Sequence, residues 1–203
     1  MSKNPNQYLI QNGTFVRNFN KLYKKIKDPW NQKKNFSNDL SIKCISEFVK
    51  EIKKKKKNLK VLDVGAGENY LKKHLLSDCD YQGTDIHNVK KKDIIFDDIR
   101  IKNPKFKKKF DLIFVLKTIY YVGDSINQVI KNLNLYLKKN GILIITYNLK
   151  KNSYSNKWLT DVKLRKKLLM MFCELKTIEI NRELYEKNNG EKITIFIFKK
   201  LSN

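Results

Sequence analysis

The chain of 203 residues lacks the features that mark membrane, secreted or zinc-binding proteins. It contains no run of eighteen apolar residues, so no membrane-spanning helix is predicted. The N-terminal segment 1–8 is polar and has no apolar signal-peptide core. Cys44, Cys79 and Cys173 form no CxxC pair and are odd in number, which argues against a disulfide framework or a zinc site. This cysteine pattern predicts a reducing, cytoplasmic compartment.

Acidic residues are scarce relative to basic ones. Aspartate and glutamate number 20 against 44 lysines and arginines, which gives a formal net charge of +24. Such a charge attracts an anionic partner, either nucleic acid or a membrane surface. The abundance of Lys, Asn and Ile also fits a gene biased toward A/T-rich codons. We favour codon bias, because of where the lysine runs fall in the predicted fold.

Short apolar strands alternate with helical segments along most of the chain. The pattern predicts strands at 60–64, 81–84, 93–96, 110–115, 141–147, 175–180 and 193–198. Helices are predicted from Ser37 or Asp39 to Lys54, over 69–76, from a Ser125–Gln128 capping box to the stop signal Asn140–Gly141, and over 160–172. This alternation is typical of a parallel α/β sheet, to which the last two strands add an antiparallel edge. We expect a single domain, with 1–57 as a helical lid or cap segment and 58–203 as the core.

The most informative local signal is the segment Val61–Gly67. It has the pattern of a buried strand followed by a glycine turn, and a predicted helix begins directly after it. A strand–turn–helix unit of this kind binds an adenosine-bearing cofactor. Asp85 ends the second predicted strand, where an acid can accept hydrogen bonds from both ribose hydroxyls. A nicotinamide cofactor is disfavoured because Tyr70 stands where its fingerprint needs a third glycine, and no P-loop is present.

The sequence of Val61–Gly67, VLDVGAG, resembles the first motif of class I S-adenosylmethionine-dependent methyltransferases. The resemblance extends over most of 58–200. It implies a Rossmann-like α/β fold: a seven-stranded, mostly parallel sheet with an antiparallel C-terminal strand pair and helices on both faces. It also implies S-adenosyl-L-methionine as the cofactor. One departure is Asn69, which stands where the family has its third glycine. Asn tolerates positive φ better than other non-glycine residues, so the turn can survive.

The same resemblance implies roles for individual residues. Lys117, Tyr120 and Tyr121 follow the fourth predicted strand, where family members face the methyl group and the acceptor, and they are the catalytic candidates. A tyrosine hydroxyl there could orient the acceptor or relay a proton. Asp97 competes with Asp98 for the contact to the adenine amino group. The implied cofactor-binding residues are Asp63, Gly65, Ala66, Gly67, Asp85, Ile86, Asp98 and Ile99.

The N-terminal segment carries a shorter resemblance. Leu22–Tyr23 followed by Asp28–Trp30 is similar to the lead-in of small bacterial nodulation-type N-methyltransferases, and the pair Tyr120–Tyr121 fits that group as well. Tyr23 and Trp30 could form a lid over the cofactor or simply pack. His87 follows Asp85 closely and is a candidate neighbour of the cofactor.

Motifs that the sequence lacks reduce the number of acceptor classes to consider. No [D/N/S]-P-P-[Y/F/W] follows the fourth predicted strand, which disfavours methylation of a DNA base amino group, and no Pro-Cys pair supports cytosine C5 chemistry. Residues 115–121 carry no acid, so a metal-dependent catechol-type site is not supported. We expect in-line methyl transfer to a nitrogen or oxygen atom of a small-molecule acceptor. An RNA or protein methyltransferase, or a non-catalytic binding protein with this fold, stays open as an alternative.

The lysine runs bear on the choice between these acceptors. The runs 53–57, 90–92, 107–109 and 138–139 each lead into a predicted strand, so all lie at the amino edge of a parallel sheet. Cofactor and substrate bind at the opposite, carboxyl edge. Nucleic acid is therefore not favoured as the acceptor. Lys150–Lys151 falls at the carboxyl edge and would suit a small anionic acceptor or a modest RNA contact.

Overall fold

The computed structural model describes residues 5–11, 14–15, 18–26, 28–29, 36, 38–87, 92–149, 159–181 and 192–201. The loops on either side of the strand Phe110–Val115 contain three short 3₁₀ turns, at Pro104–Phe106, Ile119–Tyr121 and Gly123–Ser125. The helices and strands in chain order are α1 (Asn6–Leu9), β1 (Ile10–Gln11), β2 (Thr14–Phe15), α2 (Phe19–Lys25), α3 (Leu40–Lys55), β3 (Lys60–Val64), α4 (Tyr70–Leu75), β4 (Asp80–Asp85), β5 (Ile94–Phe96), β6 (Phe110–Val115), α5 (Ile126–Tyr136), β7 (Leu137–Leu149), α6 (Asp161–Leu169), β8 (Phe172–Asn181) and β9 (Lys192–Lys200).

Seven of the strands form one sheet, in the order β5-β4-β3-β6-β7-β9-β8. The first five run parallel, whereas β9 is antiparallel to both β7 and β8. The predicted fold class is confirmed. The chain steps from β3 outward to β5 and then returns to the other side of β3 as β6. This reversal opens a crevice at the carboxyl ends of β3 and β6, which is where α/β sheets of this kind bind ligands.

Helices cover both faces of the sheet because its central strands are apolar on both sides. Helices α3 and α4 pack on one face, and α5 and α6 pack on the other. No helix within the described ranges is both long and apolar enough to cross a bilayer. The first face buries Ile45, Val49, Leu71, Val61 and Ile144 together, and the second buries Val129, Leu133, Leu164, Leu62 and Ile113.

Side-chain caps start two of the helices, one of them predicted at Asp39 and the other, at Thr160, not predicted. The Asp39 side chain accepts a hydrogen bond from the Ser41 N–H at the start of α3, and the Thr160 hydroxyl accepts from the Lys163 N–H at the start of α6. Ser37 lies outside the described residues. The predicted capping box at Ser125 is wrong, because its side chain makes no cap hydrogen bond to α5.

The predicted end of α5 at Asn140–Gly141 is also wrong. The helix ends at Tyr136, and the next residue, Leu137, is already extended and pairs with Phe110 of β6. Pairing with a neighbouring strand therefore stops the helix before the local Asn-Gly signal is reached. Strand β7 passes through that Asn-Gly pair and is longer than predicted.

Candidate functional site

The glycine turn after β3 is built from backbone groups in left-handed conformations. Gly65 has φ +76° and Gly67 has φ +51°. The N–H groups of Gly65 and Ala66 both donate to the carbonyl oxygen of Thr84 at the end of β4, at 2.8 Å and 3.0 Å. A side chain on Gly65 would collide with that of Thr118 in the loop after β6. The turn is therefore held close to two neighbouring strands and leaves no room for a Cβ at position 65.

Asn69 continues the turn and adopts the conformation that the missing third glycine would take. Its φ is +66° and its ψ is +31°, and it occupies the N-cap position of α4. Its side-chain Oδ1 is buried and has no hydrogen-bond donor among the described residues. The turn thus keeps its shape with Asn in the third position, as expected of the non-glycine residue best suited to this region.

Asp85, at the end of β4, is fixed by the backbone on both sides of its carboxylate. Oδ2 accepts from the Gly67 N–H at 3.0 Å, and Oδ1 accepts from the His87 N–H at 3.1 Å. The residue is only 7% exposed. Each carboxylate oxygen has two lone-pair directions, so each can still accept one more hydrogen bond. A buried acid that faces a glycine turn with spare acceptor capacity is suited to bind a diol.

Asp63 points into the sheet and contacts its neighbouring strand. It is buried, and its Oδ2 accepts from the Tyr81 hydroxyl at 2.7 Å. Burial raises the pKa of Asp63 to about 7, although the Tyr81 hydrogen bond opposes the shift and the nearby Asp85 carboxylate adds to it. The side chain therefore braces the strands beneath the turn.

The two acids after β5 differ in what they bind. Both oxygens of Asp98 are engaged by the Arg100 guanidinium, at 2.5–2.9 Å. Asp97 accepts from the Asn103 amide at 2.8 Å through Oδ1, whereas its Oδ2 is buried with no donor among the described residues. Burial raises the pKa of Asp97 above its usual value. Ile99 packs in the core, and its carbonyl oxygen accepts from Asn132 at 2.7 Å.

Lys117 has left-handed backbone geometry, with φ +54°, and links two parts of the chain that are distant in sequence. Its N–H donates to the Thr146 hydroxyl at 2.8 Å, and its ammonium group pairs with the carboxylate of Asp39. Burial alone would raise the pKa of Asp39, but Lys117 and Ser41 outweigh this effect and hold that pKa below its usual value. The loop after β6 is thereby tied to the start of α3.

Tyr120 and Tyr121 follow β6 at the carboxyl edge of the sheet. Their rings contact each other in a T-shaped arrangement with centroids 4.5 Å apart. Burial, together with Tyr120 beside it, raises the pKa of Tyr121 well above its usual value. Phe19 of α2 also contacts the Tyr121 ring, at 5.3 Å. Tyr121 therefore stays protonated at ordinary pH and lies beneath the N-terminal segment.

Helix α2 covers the residues that follow Asp85. Tyr23 stacks on the imidazole ring of His87, with centroids 3.9 Å apart and an interplanar angle of 13°. Ile86 packs with Phe19 and Leu22 in a small apolar cluster. The predicted lid residue Trp30 and the predicted anion-binding pair Lys150–Lys151 lie outside the described residues.

The structure brings most of the predicted cofactor residues to one place. Gly65, Ala66, Gly67, Asp85 and Ile86 meet at the carboxyl edge, with Asp97 and Asp98 on the adjacent strand end. The sequence interpretation did not identify Asp39, Thr118 or Thr146 as partners of this edge. The described residues contain no cluster of three or more His, Cys, Asp or Glu side chains that could hold a metal ion.

A family profile described as a methyltransferase domain matches residues 39–180 of this chain. No curated protein matches this chain significantly. Among solved structures, the chain is similar to the N-methyltransferase NodS from Bradyrhizobium japonicum WM9 in complex with S-adenosyl-L-homocysteine. That match has a TM-score of 0.69 and 14% identity, and it covers 98% of this chain and 100% of NodS.

Two further solved structures have the same fold. One is the 1,6-didemethyltoxoflavin-N1-methyltransferase from Burkholderia thailandensis with bound 1,6-didemethyltoxoflavin and S-adenosylhomocysteine, at 11% identity and TM-score 0.65, covering 88% of this chain and 86% of that one. The other is the [4+2]-cyclase SpnF, at 14% identity and TM-score 0.60, covering 78% of this chain and 80% of that one. At such identities these likenesses show a shared fold.

Proposed function

This chain belongs to the class I S-adenosylmethionine-dependent methyltransferase family, and we propose that it methylates a nitrogen or oxygen atom of a small-molecule acceptor. The observation that carries the proposal is the Asp85 carboxylate, held against the Gly67 turn with acceptor capacity left over. We place nitrogen first because two of the similar solved structures are named N-methyltransferases.

The residues at the carboxyl edge fit an adenosine-bearing sulfonium cofactor. Gly65 and Gly67 carry no side chain, so a ligand can approach the backbone of the turn closely at the end of β3. Asp97 Oδ2 and Asn69 Oδ1 are buried acceptors to which no described residue donates a hydrogen bond. A buried acceptor without a donor costs about 1–3 kcal/mol, so a ligand that supplies N–H or O–H groups is favoured there.

We assign roles within this site from those contacts. Asp85 would accept from the ribose hydroxyls, and Ile86 would pack against the adenine. Because the Arg100 guanidinium already occupies Asp98, Asp97 is the better candidate to accept from the adenine amino group, whereas Ile99 would support the ring from the core. Asp63 would act indirectly, by bracing the strand that presents the glycine turn through Tyr81.

When bound, S-adenosylmethionine supplies an electrophilic methyl group on a sulfonium sulfur. The chain has to hold the acceptor in line with that group, exclude water and manage one proton. Because burial keeps Tyr121 protonated, its hydroxyl would orient an acceptor lone pair rather than act as a phenolate base. Tyr120, in contact with it, would share this task. Lys117 pairs with Asp39, which supports a positioning role for the loop that carries the tyrosines.

The proposal is tested first by ligand binding. S-adenosylhomocysteine at about 100 times its dissociation constant should add about 2.7 kcal/mol to the free energy of unfolding. For a chain of this length that corresponds to a rise in Tm of roughly 5–11 °C. NAD serves as the control ligand and should leave Tm unchanged. If the folded protein shows no shift with S-adenosylhomocysteine, the non-catalytic alternative takes first place.

Two variants test whether Asp85 is the residue that binds the ribose. Asp85→Asn exchanges one carboxylate oxygen for an N–H donor and so removes one of the hydrogen bonds offered to a ribose, each worth about 1.5–3 kcal/mol when the acceptor is charged. We expect at least about a tenfold loss of affinity for S-adenosylhomocysteine by calorimetry. Asp80→Asn, at the exposed start of the same strand, is the matched control and should bind normally. Equal affinity in both variants would refute the ribose assignment.

A further inference from the structure

Many lysine residues gather at the amino edge of the sheet. The Lys108 N–H donates to the Leu135 carbonyl oxygen at 2.8 Å, which docks the loop before β6 onto the end of α5. The Lys200 ammonium donates to the carbonyl oxygen of Leu137 at 2.9 Å, which brings the end of β9 to the same place. We call this the amino-edge lysine surface and define it as Lys56, Lys105, Lys107, Lys108, Lys109, Lys138, Lys139, Lys199 and Lys200.

Within the described part of the chain, these lysines outnumber the acids that pair with them. Asp111 alone accepts from both Lys56, at 2.8 Å, and Lys138, at 3.0 Å. Burial, together with the charge of Lys108, lowers the pKa of Lys200. Lys105 and Lys107 are exposed and form no ion pair with any described residue. A surface of this kind is stabilised by an external anion.

An exposed apolar group adjoins these lysines. Helix α6 ends at Leu169, which is 45% exposed, and Met170 beside it is 80% exposed. Strand β8 begins two residues later and pairs its first residue with Lys200, so this turn borders the lysine surface. Leu201, at the end of β9, is 43% exposed. We call Leu169, Met170 and Leu201 the apolar corner.

We propose that this face binds a membrane surface that carries anionic phospholipids. The lysines would pair with headgroup phosphates and carboxylates, while the apolar corner would enter the interfacial region. A nucleic-acid backbone would use the lysines but has no need of Met170 or Leu201, and single-strand binding favours exposed aromatics. The one large aromatic side chain exposed among the described residues, Phe96, ends β5 at the opposite edge of the sheet.

Docking at this face leaves the methyl-transfer site unobstructed. The amino edge is opposite the crevice at the ends of β3 and β6, so a bound membrane and a bound cofactor do not compete. The inference therefore goes beyond the proposed function, and binding of S-adenosylhomocysteine can be measured in the same samples as an independent readout.

The test is co-sedimentation of the full chain with sucrose-loaded vesicles. We expect binding to vesicles of phosphatidylcholine mixed with phosphatidylserine, weakening as salt is raised, and no binding to phosphatidylcholine alone. Lys105→Gln combined with Lys107→Gln should lower the partition coefficient by about fivefold for each lysine, which corresponds to about 1 kcal/mol per residue. Met170→Glu should lower it as well. Lys43→Gln with Lys73→Gln removes the same charge from exposed positions on α3 and α4 and should have no comparable effect.

Three results would overturn the proposal. The first is absence of binding to the anionic vesicles while S-adenosylhomocysteine still binds. The second is an equal loss in the Lys43/Lys73 control, which would mean diffuse charge attraction. The third is binding to duplex RNA that is tighter than vesicle binding, sensitive to the Lys105/Lys107 change and indifferent to Met170→Glu, which would identify a nucleic-acid surface.

Discussion

Replacement of Asp63 by Asn should remove a pH dependence of stability that originates inside the sheet. Asp63 is 4% exposed and contacts the Tyr81 hydroxyl at 2.7 Å. Burial raises its pKa from 3.8 to about 7, against the opposing Tyr81 hydrogen bond and with a further contribution from Asp85. Asn keeps the size of the side chain and can still accept from Tyr81, but it carries no titrating proton.

The expected sign follows from which state holds the proton. Between pH 4 and 7 the folded chain keeps Asp63 protonated, whereas the unfolded chain has released that proton. The free energy of unfolding therefore falls as pH rises through this window, by about 1.4 kcal/mol per pH unit. From pH 5 to pH 8 the loss due to this one carboxyl is about 2–3 kcal/mol. The Asp63→Asn variant should not show this fall in the free energy of unfolding.

Urea denaturation of both proteins at pH 5, 6, 7 and 8 measures the effect. The variant's free energy of unfolding minus that of the natural chain should rise by about 2–3 kcal/mol across the series and level off above pH 7. Asp80→Asn, at the exposed start of the neighbouring strand β4, controls for loss of one carboxylate and should show no such trend. A difference that stays constant with pH would refute the reasoning, since Asp63 would then titrate alike in both states.

Three further substitutions test the turn and its supports. Gly65→Ala places a side chain at φ +76° against Thr118 and should lower the free energy of unfolding by at least about 1–3 kcal/mol in urea denaturation. Asn69→Gly should leave it within about 1 kcal/mol of the natural value, whereas Asn69→Val should cost about 1–3 kcal/mol; equal effects would deny that φ matters there. Lys117→Met leaves Asp39 buried without its cation and should cost about 1–3 kcal/mol, most of it recovered when Asp39→Asn is added.

Local patterns predicted the sheet well because its strands are apolar on both faces. The strands at 60–64 and 110–115 match the structure at both ends, and the predicted cap Asp39 starts the helix that follows it. These features depend on neighbours within a few residues of the chain. The errors around α5 arose where tertiary pairing overrode a local signal, because Leu137 joins Phe110 before the Asn-Gly stop is reached.

The sequence predicted those parts of the candidate site that depend on backbone conformation. It did not predict the parts that depend on contacts between side chains distant in sequence. Glycines at 65 and 67 indicate a turn with positive φ, and the structure has it. The pairing of Lys117 with Asp39 spans 78 residues and leaves no trace in either local sequence. Likewise, the two acids at 97 and 98 are adjacent in sequence, and only the Arg100 side chain distinguishes the occupied carboxylate from the open one.

The contacts of Asp85 explain why a glycine turn and an acid eighteen residues away act as one unit. The Gly67 N–H donates to Asp85 Oδ2, and this hydrogen bond orients the carboxylate before any ligand arrives. The His87 N–H fixes the other oxygen, and Tyr23 stacks on the same histidine. The acid is thus preorganised from both sides, which lowers the cost of ordering it when a diol binds. A change in the turn should therefore weaken ligand binding even though the acid itself is untouched.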